Sequence, residues 1–540
     1  MRICVLHSSE EGGNSVEDAE GLWPDVGVYA PQHTVENKYI KKKTAKEEID
    51  EAVAEGYDFY FQFLWGTHDD TVSGVDAIKY FESLNLPSAG IRGWERERSK
   101  LAFYTEARKQ GFPPVPGVDK FPLFVKPAFS YASLLIDQHS LCRNETELAL
   151  AISRLNTGMR EARVRRAVGS GHADPEEFVR ACEVAGRDSD DIVVQEYIDG
   201  QEYSVVVLAM GQIPIPMTPQ RARLPSGKEF LTFDAKFDGE SGYELLDEAD
   251  DPALYRHLQE TAVQGFKAGK MATNNMGCDV DLRMGSDGKA VVIEVDPMPV
   301  WFLPPGNKFE DTDVKQGLAD HQRAAINIFI TNHFLQHPDQ KRIKELSELE
   351  TFYDNCSSHY DQTKSSARAT QAATTMAEKF SYSGTILDLG CKTGFLGQKL
   401  RGQQNHTPSA KSSIQRLVGV DMSNKMLDIC RQSECYDELF HSQILQFLAN
   451  YNDPVNHVVS LSALQHLAVP ELSFVLARCF QIARDSITIA VDKKEDRAGD
   501  SINFFLDHTE SVKSLGLPFG WHLASQIEDE CSTLLRFERC

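Results

Sequence analysis

The chain has 540 residues, 41% hydrophobic and 25% charged, the balance of a globular protein long enough for several cored domains. With 56 Lys and Arg against 80 Asp and Glu, its formal net charge of −24 argues against a general nucleic-acid or anionic-membrane binder. Eleven cysteines without C-x-x-C spacing suggest neither a disulfide framework nor a zinc site, and neither a signal-type nor a spanning apolar run is present, so a cytoplasmic protein is expected.

In chain order, RICVL, TAKEEIDEAVAEG, YDFYFQFLWG and GVDAIKYFESL alternate strand and helix patterns, which predicts a small α/β unit over residues 1–90. ERERSKLAFYTEARKQG (helix) and FPLFVKPA (strand) open a second region, 91–338. Its Arg-rich stretch Met159–Asp191 predicts an inserted helix or loop with a solvated face. Strands DIVVQEYI, EYSVVVLAMG and IPIPM follow, then the loop RLPSGKEFLTFDAKFDG and a helix around Leu254–Met271. A polar joint is expected at 339–350. Beyond it, 351–540 alternates TILDLG, LVGVDMS, NHVVSLSAL and SITIAVD with helices, the pattern of a doubly wound sheet.

The segment GCDVDLRMGSDGKAVVIEVDPMP reads as a hairpin. With Asp287-Gly288 as a two-residue turn, Asp281 falls opposite Glu294 and Asp279 opposite Asp296, all on one face. Like charges placed so are destabilising without a cation between them, and hard carboxylate oxygens suit Mg²⁺.

This ribbon resembles the C-terminal metal-binding ribbon of ATP-grasp enzymes, particularly D-alanine–D-alanine ligases. The resemblance continues in family order through FLWGTHDDTVSG, LNLPSAG, SKLAFYTEARKQGFPPVP, FPLFVKPA, VVQEYIDGQEYSVVV and EFLTFDAKF. It implies an ATP-grasp fold and a metal set of Asp281, Glu294 and Asp296 for Mg²⁺ or Mn²⁺. It implies that Lys100, Lys126 and Ser133 meet the ATP phosphates, with Lys236 approaching the transferred one. Gln195 and the backbone near Glu196 and Ile198 would meet adenine, and Glu202 the ribose. Asp279 stands where the family carries an oxyanion-binding arginine, so Arg283, or Arg221 or Arg223 upstream, is expected to take over that duty. The substrates are then a small carboxylic acid and an amine other than the D-alanine pair, and a homodimer is a candidate state.

TILDLGCKTGFLG resembles motif I of Rossmann-like S-adenosylmethionine methyltransferases, with Asp388, Gly390 and Gly394 in place and Lys392 replacing the middle glycine. Asp421 ends the next strand and would accept the ribose hydroxyls. TFYDNCSSHYDQT resembles the aromatic helix that covers such sites, and NHVVSLSALQHL the strand lining the donor. His466 is a candidate base or a structural histidine, and His457 is expected at the surface. The whole reads as a bifunctional ligase and methyltransferase. Two alternatives stay open: a ligase with a degenerate, regulatory or scaffolding methyltransferase-like domain, and an ATP-grasp phosphotransferase.

Overall fold

The computed structural model describes residues 1–10, 24–67, 70–129, 133–169, 171–185, 191–232, 242–297, 301–307, 312–404, 414–492, 505–528 and 532–540. It is an α/β protein of two compact units. One comprises Met1–Ala209 with Pro214–Val314, the other Lys315–Cys540 with Met210–Ile213. No described helix is long and apolar enough to cross a membrane, and no disulfide joins the ten described cysteines.

The first unit opens with strands β1 (Arg2–Ser9), β2 (Thr34–Lys41), β3 (Phe59–Phe63) and β4 (Ser88–Gly90), all parallel in the order β2-β1-β3-β4. Helices α1 (Ala45–Ala54) and α2 (Gly74–Ser83) supply the crossovers. Ile49, Ile78 and Phe81 bury against Cys4, Leu6 and Tyr60, so the amphipathic stripes seen in the sequence face this sheet.

Helix α3 (Lys100–Gln110) starts where the Ser99 hydroxyl accepts the Ala102 N–H at 3.1 Å. It leads to a small antiparallel sheet of β5 (Leu123–Pro127), β6 (Leu141–Cys142) and β7 (Ile192–Glu196), ordered β6-β5-β7. Between β6 and β7 lie α4 (Glu145–Gly169) and α5 (Pro175–Val184). The Arg-rich helix is not wholly solvated as expected. Arg163 is buried with Glu183 at 3.3 Å, and Arg166 pairs with buried Asp70 at 2.9 Å.

Strands β8 (Glu202–Met210), β9 (Ile213–Pro216), β10 (Gln220–Arg223), β11 (Gly242–Leu245), β12 (Gly277–Met284) and β13 (Ala290–Asp296) form the largest sheet of this unit. Its order is β11-β10-β8-β12-β13, with β9 against β8. Helix α6 (Pro252–Gly269) covers one face. Asp251 caps it by accepting the Leu254 N–H at 3.0 Å, and Pro252 occupies its first position, where no N–H is needed. Leu258, Ala262 and Phe266 pack on Val280, Leu282 and Val292. The apolar face of the ribbon is thus buried and its acidic face points away from that core.

In the second unit, helices α7 (His321–Gln336) and α8 (Gln340–Cys356) precede a seven-stranded sheet. The segment 339–350, expected as a joint, lies mostly within α8, and the helix before it belongs to this unit too. The strands are β14 (Gly384–Leu389), β15 (Ile414–Asp421), β16 (Glu438–His441), β17 (Val455–Leu461), β18 (Ala483–Asp492), β19 (Trp521–Glu528) and β20 (Ser532–Arg539). Their order is β16-β15-β14-β17-β18-β20-β19. β14 to β18 run parallel, while β20 is antiparallel to both of its neighbours. Helices α9 (Phe395–Gln404), α10 (Asn424–Gln432) and α11 (Val469–Ile482) are among the crossovers. The order reverses between β14 and β17, which opens a crevice at the carboxyl ends of those strands.

Candidate functional site

The acidic ribbon of the first unit has the expected pairing at its acids by a different route. Asp281 faces Glu294 and Asp279 faces Asp296, but nearer the turn Leu282 faces Val292 and Met284 faces Ala290. The turn is one residue longer than a two-residue loop: the Gly285 N–H donates to the Lys289 carbonyl at 2.8 Å, and Gly288 takes the left-handed conformation. A bulge at Ile293 then absorbs the extra residue and restores the register.

That bulge organises the site. Its extra residue, Ile293, turns its carbonyl toward two donors, the Lys126 Nζ at 3.0 Å and the Tyr104 hydroxyl. One residue on, Glu294 Oε1 lies 2.9 Å from Lys100 Nζ. Lys100 and Tyr104 are four apart on α3 and so share one helix face, while Lys126 comes from β5. The two lysines expected at phosphates are therefore brought to adjacent residues of the ribbon. A cavity beside them is lined by Lys100, Tyr104, Arg98, Glu95, Glu294 and Asp296. Burial raises the Glu95 carboxyl to about 7, and the Arg92 N–H and Thr273 hydroxyl that it accepts only partly offset this. Tyr104 escaped the sequence reading, although its spacing from Lys100 was the signal.

Among the described residues, no three His, Cys, Asp or Glu side chains are grouped closely enough to enclose a metal ion. The donors present suit a hard cation held by one or two carboxylates together with nucleotide phosphates and water, not an all-protein cage.

The remaining ATP-side residues lie around the hinge after β7. Gln195 is buried on β7, and its Oε1 has no hydrogen-bond partner among the described residues. The Glu196 N–H is taken by the Gly117 carbonyl at 2.7 Å, and the Ile198 carbonyl accepts the Gly200 N–H at 3.1 Å. Glu202 faces Arg283 across β8 and β12, with a closest N–O distance of 3.6 Å. Arg283 also donates to the Tyr197 hydroxyl (3.0 Å) and to the Gly200 and Glu229 carbonyls (2.9 Å each), and lies over the Tyr197 ring. Arg283 is thus a buried guanidinium tied to the hinge and to Glu202. Arg223 is exposed at the end of β10. Asp279 accepts the Ser204 hydroxyl at 2.6 Å. Ser133 adopts a left-handed backbone at φ 60°, in a loop without the glycines that usually permit it. Lys236 lies outside the described residues.

In the second unit, the β14–β17 crevice holds the other set. Gly390 has φ +83°, and a Cβ there would meet Ala463 Cβ at 2.4 Å; Gly394 has φ +92°. Glycine is required at Gly390 for both conformation and space. The Gly390 and Cys391 N–H groups both donate to the Val420 carbonyl, at 2.8 and 3.1 Å, which fixes the turn. Asp388 is buried below it, accepts the Tyr436 hydroxyl, and is raised to about 7 chiefly by burial. Asp421 accepts the Ser423 and Lys392 N–H groups, each at 2.9 Å, one on each oxygen; burial raises it also.

A cavity at this crevice is lined by Gly390, Lys392, Asp421, Gln443, Tyr353 and His466, among others. Helix α8 covers it through polar ties. Arg342 grips Glu471 with two nitrogens (2.9 and 2.6 Å) and donates to the His466 carbonyl at 2.7 Å, and the Tyr353 hydroxyl meets His466 Nε2 at 2.8 Å. Asp354 accepts the Ser423 hydroxyl at 2.6 Å. The sequence reading did not single out Arg342. His457, expected at the surface, is buried inside β17, with Nδ1 2.7 Å from the Ser486 hydroxyl and Nε2 accepting the Ser383 N–H at 3.2 Å.

Comparison with known proteins adds the class. Residues 167–301, which include β8 to β13 and the acidic ribbon, match the family model described as the D-ala D-ala ligase C-terminus. The D-alanine–D-alanine ligase A of Mesorhizobium japonicum is 29% identical over 132 residues, 23% of this chain and 35% of that protein. The D-alanine–D-alanine ligase of Alcanivorax borkumensis is 25% identical over 315 residues, 55% of this chain and 84% of that one. Coverage is uneven: the Mesorhizobium match and one from Citrifermentans bemidjiense span 35% and 54% of those proteins' own lengths. Among solved structures, the VanG D-Ala:D-Ser ligase of Enterococcus faecalis is 16% identical with a TM-score of 0.39, covering 62% of this chain and 99% of that one. A DhpI–SAH complex is 16% identical with a TM-score of 0.28, covering 36% of this chain and 97% of that one.

Proposed function

We propose that the first unit is an ATP-grasp ligase joining a small carboxylic acid to an amine, and that the second binds S-adenosylmethionine and methylates a small molecule of the same pathway. The observation that carries the ligase reading is the coincidence of the ligase family match with the ribbon on which Lys100, Lys126 and Glu294 converge.

In the proposed reaction, the substrate carboxylate oxygen attacks the γ-phosphorus of ATP, and the bond to the β-phosphate oxygen breaks to release ADP. The amine then attacks the acyl phosphate carbon. A C–N bond forms, the C–O bond to phosphate breaks, and the amine gives up a proton. Glu294, with one of Asp281 and Asp296, would hold Mg²⁺ together with phosphate oxygens and water, and the cation when bound would neutralise charge on the phosphates. Lys100 is set to exchange its partner: with nucleotide and cation present, its ammonium moves from Glu294 to a phosphate oxygen. Lys126, fixed by the Ile293 carbonyl, presents charge from a rigid strand. Asp279, which accepts the Ser204 hydroxyl, would carry negative charge where the ligases have an oxyanion-binding arginine, which favours an amine carrying a second positive group.

For the second unit, the support is the glycine turn beside Asp421 at a topological switch point, under a covering helix.

The test is ADP release screened against pairs of amino acids and amines. Amine-dependent release is expected, with Glu294→Gln lowering it by roughly 10²-fold or more. Release that needs only the acid and yields a stable phosphorylated product would replace ligation by phosphotransfer. Undiminished release by Glu294→Gln would remove the ribbon from the site.

A further inference from the structure

The turn after β14 bends through Lys392 with φ +52°, a conformation that glycine adopts freely and a side-chained residue adopts at a cost. What holds a lysine there is its side chain. Lys392 is buried, 8% exposed, and its ammonium donates to the Leu461 carbonyl at 2.8 Å and the Ser462 carbonyl at 3.2 Å. These carbonyls lie at the carboxyl end of β17, so the side chain spans the switch point from the β14 side to the β17 side. Both acceptors are neutral and no carboxylate lies within ion-pair distance of the ammonium among the described residues, although buried Asp388 and Asp421 are near enough to feel its charge. The same residue lines the cavity with Gly390, Asp421 and Ser462.

Carbonyls at the open end of a parallel strand are natural acceptors for a cationic group of a bound molecule. Here the chain's own ammonium fills them. S-adenosylmethionine carries an α-ammonium and a sulfonium, and either one placed near a buried ammonium meets like-charge repulsion that solvent screens weakly. The ribose side is unaffected, because each Asp421 oxygen accepts one backbone N–H and keeps a further lone pair.

Resting on the reading of the second unit as an adenosyl-binding domain, we propose that Lys392 replaces a ligand cation at the β17 carbonyls. The cavity therefore binds neutral thioether nucleosides in preference to the cationic methyl donor. The donor is then held weakly, and a neutral nucleoside such as 5′-methylthioadenosine is a strong competitor for the site.

The experiment is calorimetric titration of the full chain with S-adenosylmethionine, S-adenosylhomocysteine and 5′-methylthioadenosine, in wild type, Lys392→Gly and Lys392→Met. The wild type should bind 5′-methylthioadenosine most tightly and S-adenosylmethionine at least about tenfold more weakly. Both variants should tighten S-adenosylmethionine by about tenfold and leave 5′-methylthioadenosine within about threefold. Lys392→Met keeps the strained backbone and removes only the charge, so tightening by Lys392→Gly alone would assign the effect to the turn and overturn the proposal. Weaker S-adenosylmethionine binding in both variants would make Lys392 an anchor for the ligand's carboxylate and overturn it as well. If none of the three binds any form while circular dichroism shows all folded, the adenosyl reading itself falls. That outcome is distinct from a reversed affinity order.

Discussion

Arg283 shows how far one residue's surroundings can redirect its chemistry. A positive residue four positions from Asp279 on one strand face reads as a substrate-anion partner, yet its guanidinium serves Tyr197, Gly200 and Glu229 while facing Glu202. A fork that reaches several acceptors cannot be copied by an ammonium. Arg283→Ala, which strands Glu202 as a buried carboxylate, is expected to cost roughly 3–5 kcal/mol in urea unfolding, with Arg283→Lys recovering only part of it. An unchanged unfolding midpoint with a lowered kcat would return Arg283 to the substrate. The residue types were legible in the sequence. Their partners were not, because Tyr197 and Glu229 reach Arg283 only through the hinge and the loop beyond β10.

At the scale of elements, alternation along VVIEV predicts a strand correctly but cannot count its bulge. The longer turn and the Ile293 bulge cancel, so the acids pair as a two-residue turn would have placed them, while the carbonyl that anchors Lys126 belongs to the bulged residue. β17 shows a different fault. His457, expected at the surface, lies within a strand whose two faces are both buried. Burial holds the His457 imidazole at about 4, below its ordinary 6.5, with Asp485 opposing the shift. Between those values the unfolded chain binds the extra proton, so this contribution is present above 6.5 and is lost as pH falls through 4. Going from about pH 7.5 to about pH 5 should lower the stability of the second unit by roughly 2 kcal/mol. Chemical denaturation at the two pH values should show a smaller loss for His457→Gln; equal losses would mean that the imidazole is already charged in the folded state.

For the molecule as a whole, the division into two compact units predicts two calorimetric transitions. Mg²⁺ with ATP should raise one of them, and 5′-methylthioadenosine the other. A ligand at a hundredfold excess over its Kd adds about 2.7 kcal/mol to the unit that binds it, a rise of several degrees. A single transition moved equally by both ligands would mean that the units unfold as one.

Local pattern alone determined the alternation of strands and helices, the acidic ribbon, the glycine turn at Gly390 and the acid at Asp421. These follow from side-chain period, turn chemistry and backbone freedom, which act over a few residues. Only the tertiary structure decided which charges meet: Lys100 with Glu294, Arg283 with Glu202, and Lys392 with the carbonyls of β17. The physical reason is that a buried charge is neutralised or solvated by whatever the fold brings within about 4 Å, and those partners lie far away in the chain.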